Sequence, residues 1–454
     1  MAVATLTDSM RNTHLSDSLG EPECLLFNPQ GDTSWLQERL DKIPRFLFRV
    51  ASPRSDGETN ETWVRSESAS RDKVRCQEDT FSALNSERRR VIARALNEHL
   101  RWWPKYNSND NFVSWTSSLL FALQYVFYRH LSASDGSSLE EIKLYVLDTT
   151  RFPRGTFIRD LDLIGAFRKF DDHPFWKNLD NLWRLRVDHG YYFGEYLSQG
   201  SLKIVDKCQM ITAQALTDEN KLYILQPLFK ERCKPPQKNE RPDWTKEVRR
   251  FRSIIWPNAR SPQTPSEEMH DKMKAVHGIA NMFDPGWKLP LAVYFAALIE
   301  PETEEQQRTN VDTVFSASFR SNIFSGSSSS SSSLQPIFNR FPNRPEEERK
   351  AYAPLDVKVI APDTMPELIR VQDIFREIYK DSRLRTAFGI IDLVAEAESS
   401  IRSLHIRNVC GDQEDTLVAA DSRAGQKLLS QLDTIKYLCE LVSREILPSI
   451  ANED

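Results

Sequence analysis

The stretch Phe112-Val113-Ser114-Trp115-Thr116-Ser117-Ser118-Leu119-Leu120-Phe121-Ala122 changes character halfway along its length. Phe112-Val113-Ser114 reads as a short strand, and Ser118 reads as the N-cap of a helix predicted from Leu119 to His130. Between them lie hydroxyls gathered at a helix N-terminus, where unpaired N–H groups favour hydrogen bonds and negative charge. The plain interpretation is an ordinary cap. Asn107 to Asn111 leads into the strand as a turn-rich segment, so the local pattern is turn, strand, polar turn, helix.

Working outward, Trp35, Leu36, Leu40 and Ile43 fall at helical spacing, and Pro44 ends that helix just before Phe46-Leu47-Phe48-Arg49-Val50, an apolar run suited to a buried strand. Arg49 interrupts it. A guanidinium there must find a partner, and a structural carboxylate is the plain expectation. Ser86-Glu87 opens a second helix with Val91, Ile92, Ala95, Leu96 and Leu100 on one stripe, closed by Pro104. Downstream, Ile142 to Leu147 reads as a fully buried strand. Two more strands are predicted, Tyr191 to Leu197 and Ser201 to Val205, separated by Gln199-Gly200. Glu195 then stands among aromatics before a glycine turn, and a solvent-facing edge glutamate is the plain reading.

These elements make residues 31–225 one α+β domain, preceded by a disordered tail over residues 1–30. Residues 226–345 read as a linker with helical segments. Lys230 to Arg252 is basic, Pro290 to Ile299 is an apolar helix with its proline in the first turn, and Ser325 to Ser333 is a serine-rich hinge. Residues 346–454 read as an α-helical module, with Leu368, Val371, Ile374, Phe375 and Ile378 on one face and Leu428, Leu429, Leu432, Ile435, Leu438, Leu441 and Val442 on another.

Composition bounds the function. The 454 residues carry 60 Lys plus Arg against 65 Asp plus Glu, a net charge of −5, so a nucleic-acid partner is not indicated. Six scattered cysteines form no C-x-x-C pair, which favours a reduced cytoplasmic or nuclear setting. The start is polar rather than signal-like, and Leu291 to Ile299 is too short to span a bilayer; no membrane partner is expected. His173 and His189, flanked by Asp172 and Asp188, lie in no helix-borne metal motif, so no metal is expected, and Cys208 reads as core. No Walker loop, G-x-G-x-x-G or G-x-S-x-G occurs.

Taken together, Phe48-Arg49, Phe112-Val113 with Ser114, Thr116, Leu119 and Ala122, and Glu195 with Gly200 and Leu202 resemble the mono-ADP-ribosyltransferase family, in the branch marked by Arg, then Ser-Thr-Ser, then Glu. The resemblance covers about 170 residues, and Ile142 to Asp148 looks like a further strand of that family. It implies an ADP-ribosyltransferase-like split β-sheet domain, here followed by the helical C-terminal module. It further implies NAD as substrate, with Glu195 and Ser114 catalytic and Arg49, Ser114 and Thr116 binding the dinucleotide. Glu195 would stabilise the ribose cation, Ser114 would orient Glu195, Arg49 would hold a phosphate or ribose, and Thr116 would support the strand end. Two positions depart from the pattern. Trp115 replaces the central threonine, and Phe193 replaces the acid or glutamine two residues before the glutamate, so arginine side chains are disfavoured as acceptor. An NAD glycohydrolase or a transferase with another acceptor is implied. The chain is also similar to uncharacterised fungal proteins with a domain of unknown function sharing this aromatic-Arg, Ser-x-Thr-Ser and Gly-Glu-Tyr-Leu pattern. The competing expectation is a catalytically inactive interaction scaffold whose helical module binds a protein partner.

Overall fold

A computed structural model describes residues 23–71, 78–102, 110–132, 134–233, 244–256, 266–300 and 365–380, together with Leu432. These residues fall into two compact units. The first holds described residues 23–214 and 244–249, and the second holds 215–233, 250–300, 365–380 and Leu432.

The first unit is α+β. Its strands are β1 (Cys24–Leu25), β2 (Phe46–Ala51), β3 (Glu58–Thr59), β4 (Trp63–Arg65), β5 (Phe112–Thr116), β6 (Lys143–Asp148), β7 (Ile158–Arg159), β8 (Glu195–Lys203) and β9 (Cys208–Thr212). They form a curled antiparallel sheet in the order β3-β4-β8-β5-β2-β6-β9, with β1 and β7 also on β8. The main helices are α1 (Ser86–Arg101), α2 (Leu119–Leu131), α3 (Asp160–Phe167), α4 (Leu179–Val187) and the first residues of α5 (Trp244–Ile255).

Strand alternation divides the packing between two cores. Phe112 and Leu197 join Leu96, Leu100, Leu161 and Ile164 in one cluster, whereas Val113, Trp115 and Tyr196 join Leu47, Tyr145 and Leu147 in the other. Most of the α1 stripe is buried, but Val91 is exposed and Ala95 half-buried; Ala93 and His99 take up buried positions instead.

Two strand assignments change. The segments expected on either side of Gln199-Gly200 are one continuous strand, because Gly200, at φ +64°, acts as a kink inside β8 rather than a turn. β5 pairs with β8 over Glu195–Gln199 and β4 over Ser201–Lys203, so the partner changes across this glycine. A second glycine with positive φ, Gly194 at +69°, stands just before β8. Order also starts before residue 31, since β1 pairs with β8 and Phe27 is buried.

The second unit takes residues 215–225 away from the expected α+β domain and shows that part of the expected linker is core. Its helices include the end of α5, α6 (Ser266–Ala280), α7 (Pro285–Ala296) and α8 (Pro366–Lys380). Phe251, Ile255, Val276, Ile279, Leu291, Phe295, Leu368, Val371, Ile374 and Phe375 are buried there. Lys246 and Arg249 lie on the exposed side of an amphipathic helix, while Arg252 pairs with the buried Glu367, so a tract that composition alone reads as linker is packed. α7 starts at Pro285, so Pro290 lies inside the helix. The serine tract, Ile378's side chain and all of the second C-terminal stripe except exposed Leu432 lie outside the described residues.

Candidate active site

β2 and β5 bridge at a single position, Phe48 with Thr116. At the edge of β5 next to that bridge, Arg49 Nη1 donates to the Ser114 carbonyl at 2.9 Å, and its Nε donates to Thr59 Oγ1 at 3.3 Å. No carboxylate among the described residues forms an ion pair with Arg49, contrary to the plain expectation of a structural partner. Burial pulls its guanidinium down to about 10, with Arg129 adding repulsion against the opposing influence of Tyr125, Tyr145 and Asp56. A guanidinium with no carboxylate in ion-pair contact is a ready anion site.

Ser114 faces the other way with its side chain. Its Oγ donates to Glu195 Oε1 at 2.6 Å and lies 2.8 Å from His99 Nε2. His99 Nδ1 is in turn 2.7 Å from Asp110 Oδ2. Glu195 is therefore not an exposed edge residue: it opens β8 opposite Thr116, and its Oε2 accepts from Arg186 Nη2 at 2.7 Å. Arg186 Nη1 also pairs with the fully buried Asp160 at 2.5 Å. Burial pushes the Asp160 carboxyl up and the Glu195 charge adds to this, while Arg186 opposes both. Burial lowers the affinity of Arg186 for its proton, but the two carboxylates outweigh it and move the guanidinium upward.

Thr116 takes a positional role. Its hydroxyl donates to the Phe193 carbonyl at 2.6 Å and accepts from Ser118 N at 3.0 Å, while Ser117 N donates to the Gly194 carbonyl at 2.8 Å. The hydroxyl-rich segment thus holds the two residues that lead into Glu195, and Ser118 caps α2 through a bond from Phe121 N at 3.2 Å. Trp115 is buried, with its Nε1 donating to Ser198 Oγ at 3.0 Å.

Arg49, Ser114, Thr116, Glu195, His99 and Arg186 all line one cleft of about 850 Å³. Aromatics form one side of it. Phe193 stacks on Phe121 at 4.9 Å, and Trp244 packs against Phe121 at 4.7 Å and stacks with Trp102 at 4.9 Å, only 9° from parallel. His99, Asp110, Arg186, Asp160 and Trp244 were not singled out by sequence reasoning. The usable signal was charge in apolar company, as in Asp160-Leu161-Asp162-Leu163-Ile164, where two acids sit in a segment that must be buried.

Chemically, the arrangement holds an oriented carboxylate and a guanidinium with no ion-paired carboxylate in the same cleft, with Ser114 touching both. Among the described residues, the only cluster with metal-ligand character, Asp171, Asp172 and His173, is taken up internally: Asp171 accepts from His173, Asn97 and Leu179. No helix among the described residues is long and apolar enough to cross a membrane. Comparison with curated proteins finds no match, and comparison with solved structures finds none. A family model described as Domain of unknown function (DUF7587) matches residues 42–202, from just before β2 to near the end of β8, a span that contains Arg49, Ser114 and Glu195 and leaves out Trp244.

Proposed function

We propose that the cleft binds NAD and breaks its nicotinamide–ribose bond, in an ADP-ribosyltransferase-like domain that passes ADP-ribose to water or to an acceptor other than arginine. The observation that carries this reading is the double engagement of Ser114, whose carbonyl takes Arg49 and whose hydroxyl fixes Glu195. Arg49, whose direct partners are the Thr59 hydroxyl and the Ser114 carbonyl, would hold a phosphate of the dinucleotide as its ion-paired anion. Glu195, oriented by Ser114 and held from its other oxygen by Arg186, would lower the energy of the positive charge that grows on the ribose as the C1′–N bond breaks. The bonding electrons leave with the nicotinamide ring and cancel its positive charge. A water oxygen then bonds to C1′ and releases a proton to solvent. Phe193, packed on Phe121, offers no base to a guanidinium acceptor.

The test is incubation of purified full-length protein with NAD, with water, an arginine analogue such as agmatine, or a short oligonucleotide as acceptor, while nicotinamide is quantified. The reading expects release in water that agmatine does not accelerate. Silence in every arm, with no rise in melting temperature on adding NAD, would leave the domain as a scaffold.

A further inference from the structure

Three consecutive contacts join the carboxylates of Asp110 and Glu195: Asp110 Oδ2 to His99 Nδ1 at 2.7 Å, His99 Nε2 to Ser114 Oγ at 2.8 Å, and Ser114 Oγ to Glu195 Oε1 at 2.6 Å. Each contact needs one hydrogen. Two ionised carboxylates supply none, the serine supplies one, and a neutral imidazole supplies one. That leaves one contact with lone pairs facing each other at hydrogen-bond distance, an arrangement that costs free energy in a buried setting. A third hydrogen completes the chain, and it can reside only on the second ring nitrogen of His99 or on one of the two carboxylates. The second oxygen of each carboxylate is already an acceptor: Glu195 Oε2 accepts from Arg186 Nη2 at 2.7 Å, and Asp110 Oδ1 accepts from Phe112 N at 3.1 Å.

We infer that His99 is a positioning residue that carries both ring hydrogens and donates through Nε2 to Ser114, which turns the single Ser114 hydroxyl hydrogen onto Glu195. A neutral ring with its hydrogen on Nδ1 would compete with Glu195 for that hydroxyl, and the carboxylate would lose its donor. The setting is built for a fixed ring: His99 and Asp110 are both buried, and the Phe112 ring stands edge-on to the imidazole at 5.8 Å. The order Asp110–His99–Ser114 also matches the layout of a serine nucleophile. Glu195 argues against that use, because a carboxylate 2.6 Å away opposes the negative charge an attacking oxygen develops.

The catalytic consequence rests on the proposed NAD reaction; the proton arrangement does not, so the experiment has two arms. In the first, the full-length protein labelled with ¹⁵N-histidine is studied by NMR at pH 7, with His99 identified by its loss in His99→Gln. The expected result is two ring hydrogens on His99 in wild type and one in Glu195→Gln, because a glutamine amide can itself donate to Ser114. A single ring hydrogen in wild type, or two in both proteins, overturns the inference. In the second arm, His99→Gln keeps a permanent N–H donor near the Nε2 position and is expected to hold kcat within about 10-fold of wild type, whereas His99→Phe falls about 100-fold at unchanged KM. Equal rates for wild type and His99→Phe overturn the positioning role, as does covalent labelling of Ser114 by a fluorophosphonate. A wild type silent toward NAD would sink the proposed reaction alone, with the NMR arm still deciding the proton arrangement.

Discussion

Ser114 Oγ lies 2.6 Å from Glu195 Oε1, although 81 residues separate the two in the chain. The contact is diagonal across the β5–β8 ladder, where Ser114 stands opposite Leu197 and Glu195 opposite Thr116. Two adjacent strands of one sheet thus supply the hydroxyl and the carboxylate, and the Thr116–Phe193 bond fixes the register at which they meet.

Ser114→Ala removes the donor to Glu195 and the acceptor for His99 in one step. Nicotinamide release is expected to fall about 10²-fold. The measurement is kcat against KM for NAD, and the loss should appear in kcat, because the serine side chain acts on the carboxylate.

Arg49→Lys keeps the charge but loses the planar donor fork that reaches both Thr59 and the Ser114 carbonyl. The expected outcome is a KM for NAD raised about tenfold, with a smaller change in kcat. Thermal stabilisation by NAD should shrink in parallel, which a melting-temperature titration reads directly.

Arg186→Met leaves the fully buried Asp160 carboxylate without its cation. Removing one partner of a buried pair typically costs about 3–5 kcal/mol. The double variant Arg186→Met, Asp160→Asn should recover part of that loss. Chemical denaturation of the single and double variants measures the difference.

For Asp135, burial raises the carboxyl, but hydrogen bonds from Ser137 and Ser52 and the charge of Arg129 outweigh it and hold the group below its ordinary 3.8. A carboxylate depressed in the folded state contributes stability that is present above the unfolded value and lost as pH falls through the folded one. Stability should therefore drop as pH goes below about 4, and Asp135→Asn should flatten that acid limb in urea unfolding curves.

Where local pattern decided the structure, the sequence was informative. The run Phe46 to Val50, the Ser118 cap and the helix after it need only nearest neighbours, and they stand where periodicity and capping put them. Arg49, Ser114 and Glu195 were legible as residues, and the sheet brings all three to one cleft. What failed depended on distant partners. Gly200 looked like a turn because nothing local reveals that β4 and β5 both pair with the same strand on either side of it. His99 was not singled out, since its partners Asp110 and Ser114 come from a later turn and strand. The basic tract near residue 250 read as linker because charge count hides the buried face that Phe251 and Ile255 present.

The most direct test of the account compares nicotinamide release from NAD by the wild-type protein and by Glu195→Gln, each shown to be folded by its melting temperature. The account predicts release by wild type and a fall of about 10²–10³-fold in the variant. Equal rates in the two folded proteins would contradict it.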